Sequence, residues 1–275
     1  YLGLFGCVQR SNAEPVVIQN LTLKNPVVIG TNYIGALMGY NYGAQILNCS
    51  VEKGSASGMT YVGGLVGKNN YNGSYVGTIT NSRFTGEVKK PESGSGTMQY
   101  FGGLVGDTTG KGTDEATIAS SYAIADVTGG NYTGGLVGSA YAAKLADCYS
   151  IGDVVGTTYA GGIAGKAQSS YSGSTIVKNS YSAGTVTATK AGGIFGEHRI
   201  ERGEIGNLYY DSQLADVPII GESYSGSVLS PGETVVGRIS TELKTLADTL
   251  NNGRSVWRGA SNNSENSGYP CLTAF

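Results

Sequence analysis

A seven-residue phrase, Tyr-x-Gly-Gly-(Leu/Ile)-x-Gly, returns along most of this chain and limits what the chain can fold into. It stands at Tyr61–Gly67, Tyr100–Gly106, Tyr132–Gly138 and Tyr159–Gly165, with variants at Tyr33–Gly39 and Lys190–Gly196 and a shortened copy at Tyr1–Gly6. From Tyr33 onward the copies begin 28, 39, 32, 27 and 31 residues apart. Self-similarity at such a period marks stacked supersecondary units, none of which can bury its apolar face alone.

A second phrase is interleaved with the first, at Asn81–Val88, Ser120–Val127, Asp147–Val154 and Asn179–Val186, with weaker copies from Asn20, Asn48 and Asn207. It alternates with the period of a strand. Ser82, Phe84 and Val88 point one way and Arg83 and Glu87 the other; Cys148, Ser150 and Val154 likewise oppose Tyr149 and Asp153. Each unit is therefore a short strand, a turn, a second short strand and a variable loop. Stacking the units as coils pairs each strand with its equivalent above and below, which satisfies backbone groups a lone strand leaves bare. The expected fold is all-β, a right-handed parallel β-solenoid (β-helix) of about seven coils over 1–212, the hand following the preference of β-crossover connections.

In that stack Leu65, Leu104, Leu136, Ile163 and Ile194 form an apolar core column, and Asn20, Asn48, Asn81, Asn179 and Asn207 a column at one bend, where amides bond to each other and to turn backbone. The motif glycines fall where the chain turns sharply or coils approach closely. Tyr33, Tyr61, Tyr100, Tyr132 and Tyr159 precede the motif Leu or Ile by four residues, so strand parity assigns them to core or corner packing, with Lys190 marking the column as partly wet.

After residue 212 the repeat is lost, and Pro218 and Pro231 mark an irregular stretch. A helix is predicted over Ser240–Leu250, capped by Ser240 or Thr241, carrying the stripe Leu243, Leu246, Ala247 and Leu250, and stopped by Asn251, Asn252 and Gly253. With Trp257 and Gly268–Leu272, it makes 213–275 a C-terminal cap containing one short α-helix, placed to cover the open end of the stack.

Composition narrows the function. Charged residues are 14% and net charge is −2, so nothing points to nucleic acid or an anionic membrane. Gly is 45 of 275 without a triplet period, which excludes collagen. No apolar run reaches the ~18 residues of a membrane span and no secretory signal is present, while a start inside a repeat reads as a segment of something longer. Cys49 and Cys148 occupy one position in units three apart, ~14 Å at ~4.8 Å per coil, too far for a disulfide. They read as small buried thiols in a core column; a pairing of Cys7 with Cys271 stays open.

The cores Gly64–Gly67, Gly103–Gly106 and Gly135–Gly138, the interleaved Asn-Ser-Tyr-Ser-x-Gly-x-Val phrase, and the ending with Leu250–Gly253, Trp257 and Gly268–Pro270 resemble GLUG-motif repeats of bacterial surface proteins. The resemblance covers nearly the whole chain. It implies an extracellular or surface-anchored protein of adhesin type. GLUG repeats also occur beside the peptidase domain of proteins similar to IgA-cleaving metallopeptidases. Those enzymes need a His-Glu-x-x-His zinc site, and the single histidine here, His198, lies in Glu197–Glu201 among Arg199, Arg202 and Glu204, a mixed-charge stretch that reads as a solvated loop.

Two outward columns are the candidate sites. Arg83, Tyr122, Tyr149, Tyr181 and Tyr209 form a stripe that serves either as a glycan platform or as a ladder stabilising the sheet. Beside it run Glu87, Asp126, Asp153 and Thr185; solvent screens the like charges, or calcium bridges Asp126 and Asp153. No catalytic residue and no other cofactor is expected. The expected function is a non-enzymatic adhesion or scaffold segment, monomeric, presenting the stripe and the loops Lys68–Thr78, Lys89–Gln99 and Asp107–Thr117 to host protein or glycan. Two alternatives stand: an accessory region that positions substrate for an IgA-protease-like peptidase, and a β-solenoid polysaccharide-degrading enzyme, which would require a basic column beside the acids.

Overall fold

Equivalent strands of successive repeats pair in parallel and in register, residue on residue. In the computed structural model, which describes residues 1–92, 96–111, 115–224, 226, 235–251, 253–260 and 265–274, this pairing builds a parallel β-solenoid of about seven turns. Pro231 and Asn252 lie outside the described residues, as do 93–95 and 112–114 within two of the predicted loops.

Each coil visits three sheets. The Tyr61 coil enters the first, six-stranded sheet at Thr60–Gly63, bends at Gly64 and Leu65, and runs through the second, nine-stranded sheet at Val66–Asn72. It then enters the third, sixteen-stranded sheet through Thr78–Thr80, and Arg83–Lys89 continues in it after a bend. Phe84, Val88, Val62, Leu65 and Val66 face inward at 0% exposure, and the same positions of the other coils complete one continuous core. The predicted core column of Leu65, Leu104, Leu136, Ile163 and Ile194 is fully buried.

The bend in the third sheet has one physical basis along the whole stack. Asn20, Asn48, Asn81, Ser120, Asp147, Asn179 and Asn207 all have φ between 46° and 59°, a left-handed conformation that Asn and Asp tolerate best among side-chain-bearing residues. Neighbouring amides then join: Asn48 Nδ2 donates to Asn20 Oδ1 at 2.7 Å and Asn207 Nδ2 to Asn179 Oδ1 at 3.1 Å. The next position is a column of Cys49, Ser82, Ser121, Cys148 and Ser180. Each of the three serine hydroxyls donates to the carbonyl two residues earlier at 2.7–2.9 Å, and the two buried, free thiols take the same place at 3.3 and 3.2 Å. The buried-thiol expectation therefore holds, with a local hydrogen-bonding role that strand patterning did not reveal.

Three expectations are corrected. Parallel pairing does not stop at residue 212: Ile220–Ser223 pairs with Phe195–Arg199, and Val235–Arg238 with Gly203–Asp211. The predicted single helix is two short ones, Ser240–Leu243 and Ala247–Asn251, and neither Ser240 nor Thr241 caps it; the N-cap residue is Ile239, and the Ser240 amide donates to Gln213 Oε1 at 2.9 Å. The C-terminal segment divides: Ile220–Ser223 and Val235–Arg238 pair onto the last strands of the stack, whereas the helices and Trp257 turn aside. Its Leu243, Leu246, Leu250, Trp257, Tyr269 and Leu272 lie across the outside of the third sheet, against Tyr122, Tyr149, Tyr181 and Tyr209. Among the described residues no helix is long and apolar enough to cross a membrane.

At Gly64, Gly103, Gly135 and Gly162 the second glycine of the motif faces the carbonyl of its equivalent in the next coil, while the Tyr33–Gly39 copy carries Ala36 there. A Cβ at Gly103 would stand 2.2 Å from the Gly135 carbonyl oxygen and 2.8 Å from Ala123 Cβ. Gly103→Ala should therefore lower stability by about 1–3 kcal/mol in denaturant unfolding. Gly206→Ala, where a Cβ would meet nothing within 4 Å, should stay within ~0.5 kcal/mol.

Candidate functional site

The column Arg83, Tyr122, Tyr149, Tyr181 and Tyr209 exists as a line in space, since these residues are direct partners on successive strands. The Tyr122–Tyr149 and Tyr149–Tyr181 rings stack at 4.5 and 5.1 Å, within 10° of parallel. It is not an open stripe. Tyr149, Tyr181 and Tyr209 are 3%, 0% and 2% exposed. Trp257 leans on Tyr149 and Tyr181 at 6.0 and 5.7 Å, and polar contacts secure the cover. Tyr181 donates its hydroxyl to the Pro270 carbonyl at 2.7 Å, Tyr269 donates to Asp211 Oδ2 at 2.6 Å, and Arg254 clamps Asp147 with both terminal nitrogens. The reason is complementarity. A column of large rings and a helical stripe of leucines are both apolar surfaces that water disfavours, and each supplies the other's partner. Burial drives the Tyr149 and Tyr181 pKa values upward. At the Arg83 end of the column Arg83, Tyr122 and Tyr149, with Arg258, Asn266 and Cys271 of the covering segment, line a cavity of about 240 Å³, although Tyr122 and Tyr149 themselves are buried.

The acidic column is held by directional hydrogen bonds rather than by charge alone. Asp126 Oδ1 accepts the Asp153 amide at 3.0 Å, and Asp153 Oδ1 accepts the Thr185 amide and hydroxyl at 3.0 and 2.8 Å. Each carboxylate thus points into the next coil's backbone, which offsets the repulsion expected of stacked like charges. Glu87 accepts from Lys89 Nζ and Ser55 Oγ, which together lower its pKa. Among the described residues no group of three or more His, Cys, Asp or Glu is placed to hold a metal ion.

A different tyrosine column is the one that faces solvent. Tyr33, Tyr61, Tyr100, Tyr132 and Tyr159 stack in succession at 4.8–5.5 Å with ring planes within 14° of parallel, and Tyr1 adds a sixth, tilted ring at 4.8 Å. Of the two expected placements, core or corner, the structure shows the corner, with the rings half-buried; strand parity does not carry across the Gly-Gly bend between Tyr and Leu. At Tyr33, Tyr61 and Tyr100 the backbone also turns left-handed, with φ of 56°, 58° and 63°. The rings lie half-buried in the angle between the first and second sheets, alongside a column of second-sheet residues: Tyr40, Lys68, Asp107, Ser139, Lys166, Glu197 and Glu222. Charge sign alternates there from Lys68 to Glu197, and only the last step, Glu197 to Glu222, brings like charges together. Lys68 meets Asp107 at 3.2 Å, Lys166 meets Glu197 at 3.5 Å, and Lys68 and Lys166 also sit 4.6 and 5.2 Å from the Tyr61 and Tyr132 ring centres. Burial pulls the Lys68 ammonium down, but Asp107 and Tyr61 more than reverse this, so its pKa is raised. Burial, then Asp107, push Tyr100 up to about 12. A hydrogen bond to Glu222 at 2.7 Å, then burial, raise Tyr159. The Tyr100 and Tyr159 hydroxyls therefore stay protonated at neutral pH and remain donors.

His198 is the remaining correction. It is not in a surface loop but in the second-sheet strand Phe195–Arg199, at 0% exposure, stacked on Phe195 at 5.6 Å with Ser223 Oγ 3.4 Å from Nδ1. Alternation over that strand buries His198 while Glu197, also at 0%, is held by Arg199 at 2.9 Å and Lys166. The surrounding charges looked like a solvated loop in sequence because some of their partners, Lys166 for Glu197 and Lys178 for Glu204, come from the neighbouring coil.

The model of the GLUG motif family matches residues 58–89 and 129–155, two separate repeats. A solved structure described as "a putative immunoglobulin A1 protease from Bacteroides ovatus" is similar over 100% of this chain and 81% of its own, with a TM-score of 0.70 and 21% identity, a likeness of fold. Comparison with curated proteins finds no match.

Burial of His198 gives a testable pH dependence. Desolvation lowers its pKa from 6.5 to about 4, so below pH 6.5 the unfolded chain binds a proton that the folded chain resists. The stability present above pH 6.5 should fall toward pH 4, with a slope contribution of up to ~1.4 kcal/mol per pH unit. In urea unfolding across this window, His198→Gln should remove that contribution and leave the carboxylate-dependent remainder.

Proposed function

We propose that this GLUG-motif repeat protein is a non-enzymatic binding segment, a stiff β-solenoid that docks an extended glycan chain along its half-exposed tyrosine ladder. The observation that carries the reading is the ladder itself. Rings stacked face to face cover one another's faces, so what Tyr33, Tyr61, Tyr100, Tyr132 and Tyr159 offer outward is a row of ring edges and hydroxyls at intervals of 4.8–5.5 Å. That interval is close to the length of one sugar residue in an extended chain, and the neighbouring Lys and Asp side chains add donors and acceptors for sugar hydroxyls. A rigid, preformed row limits the side-chain entropy lost on binding. A bacterial cell-surface or secreted setting, with a host glycan as partner, fits this use.

Non-catalytic action is supported by the engagement of Asp126, Asp153 and Glu87 in hydrogen bonds within the stack and by the burial of the chain's single histidine. The whole-chain likeness to the Bacteroides ovatus structure favours one second reading, a segment that positions substrate for a peptidase domain; it uses the same ladder with a glycosylated protein as partner.

A glycan array tests the proposal. The chain should bind extended polysaccharides, and Tyr61→Ala with Tyr100→Ala should weaken binding at least tenfold, about 1.4 kcal/mol. Tyr61→Phe with Tyr100→Phe, which keeps the rings and removes the hydroxyls, should lose most of the same affinity. Equal binding by wild type and both double variants would overturn the reading, as would an array with no bound glycan.

A further inference from the structure

At the edge of the second sheet, beyond the tyrosine ladder, a hollow of about 450 Å³ is lined by Tyr141, Gln168 and Arg199 on successive strands, by Tyr224, and by two loops carrying Tyr171 and Arg202. We propose that this hollow binds a single sugar residue bearing a carboxylate, a uronic-acid type of ligand. The inference does not rest on the ladder reading, because the two sites share no residue.

Tyr171 is the first observation. It is 93% exposed, so its ring is largely open to solvent, unlike those of the ladder. A large ring held out in water is unfavourable without a partner, and an open ring face beside a concavity is what a pyranose stacks against through its C–H groups. The loop that holds it is tied down. Ser170 donates its amide to the Gly173 carbonyl at 2.9 Å and accepts the Gly173 amide at Oγ at 2.7 Å. Thr175 Oγ1 donates to the Gln168 carbonyl at 2.7 Å. Ser169 Oγ accepts the amides of Glu201 and Arg202 at 3.0 and 3.3 Å, locking the two loops together. The hollow is therefore built before any ligand arrives.

The polar lining supplies the second observation. Arg199 is committed: its guanidinium lies 3.5 Å over the Tyr224 ring and pairs with Glu197 at 2.9 Å. Arg202 is not. Its guanidinium stands 5.8 Å from the Tyr171 ring centre and makes no ion pair among the described residues. The side chains of Tyr141, Gln168 and Tyr171 likewise have no hydrogen-bond partner among the described residues, in contrast to the paired column beside the ladder. Glu201, adjacent and exposed, is the one carboxylate of the lining. The set matches an acidic sugar: Arg202 for the carboxylate, Gln168, Tyr141 and Glu201 for hydroxyls, and Tyr171 for the ring face.

Calorimetric titration of the 275-residue chain with methyl β-glucuronide and, in parallel, methyl β-glucoside is the test. The glucuronide should bind at least fivefold more tightly than the glucoside, and less tightly as salt is raised. Arg202→Ala should erase the preference, and Tyr171→Ala should weaken both probes at least fivefold. Both positions are exposed, so unfolding midpoints should stay at the wild-type value. Tyr61→Ala with Tyr100→Ala should leave glucuronide binding intact, which separates this site from the ladder. Equal binding of the two probes, binding untouched by Tyr171→Ala, or no binding of the glucuronide would overturn the proposal.

Discussion

In-register parallel pairing of equivalent strands is the constraint on which everything else depends. Once the backbone of each coil bonds to the same residues of the next, a position in the repeat becomes a column, and each side chain meets its own kind above and below. Most columns gain from this: leucines pack on leucines, and Asn48 donates to Asn20. Like charges lose by it. The chain offsets the loss either by alternating sign, as at Lys68 and Asp107, or by aiming a carboxylate at the next coil's amide, as Asp126 does toward Asp153.

Two tyrosine columns arise from the same rule and meet opposite fates. On the third sheet, Tyr149 and Tyr181 stack as closely as the ladder rings but lie under Trp257 and four leucines. Beside the second sheet, Tyr61 and Tyr100 stack with no comparable cover, flanked by polar side chains. What decides availability is not the column but what the non-repeating C-terminal segment covers. That segment gives the tyrosine column of the third sheet an apolar partner and leaves the one flanked by polar side chains to solvent.

The repeat made the fold legible. The Asn column, the core leucines, the buried thiols and the alternation of Phe84 and Val88 against Arg83 all followed from spacing. The leucine stripe at 243–250 was legible too, and so was the Tyr149 column, but that the two meet was not, because nothing in either segment encodes a contact between parts of the chain about 90 residues apart. The solvent-facing ladder was legible only as core or corner, because parity counted through a Gly-Gly bend does not choose between them. Lys190, which occupies the same column and would be costly in a core, was the cue that the column is partly wet. His198 was misread because a strand's neighbours in a solenoid come from other coils, so local charge does not report burial.

The account turns on which tyrosines the C-terminal segment hides. Nitration of the native protein with tetranitromethane, mapped by peptide mass, reads every tyrosine at once. The account predicts fast modification of Tyr171 and measurable modification of Tyr61, Tyr100 and Tyr132, with Tyr149, Tyr181 and Tyr209 protected until unfolding. Modification of Tyr149 and Tyr181 in the native state at the rate of Tyr171 would contradict it.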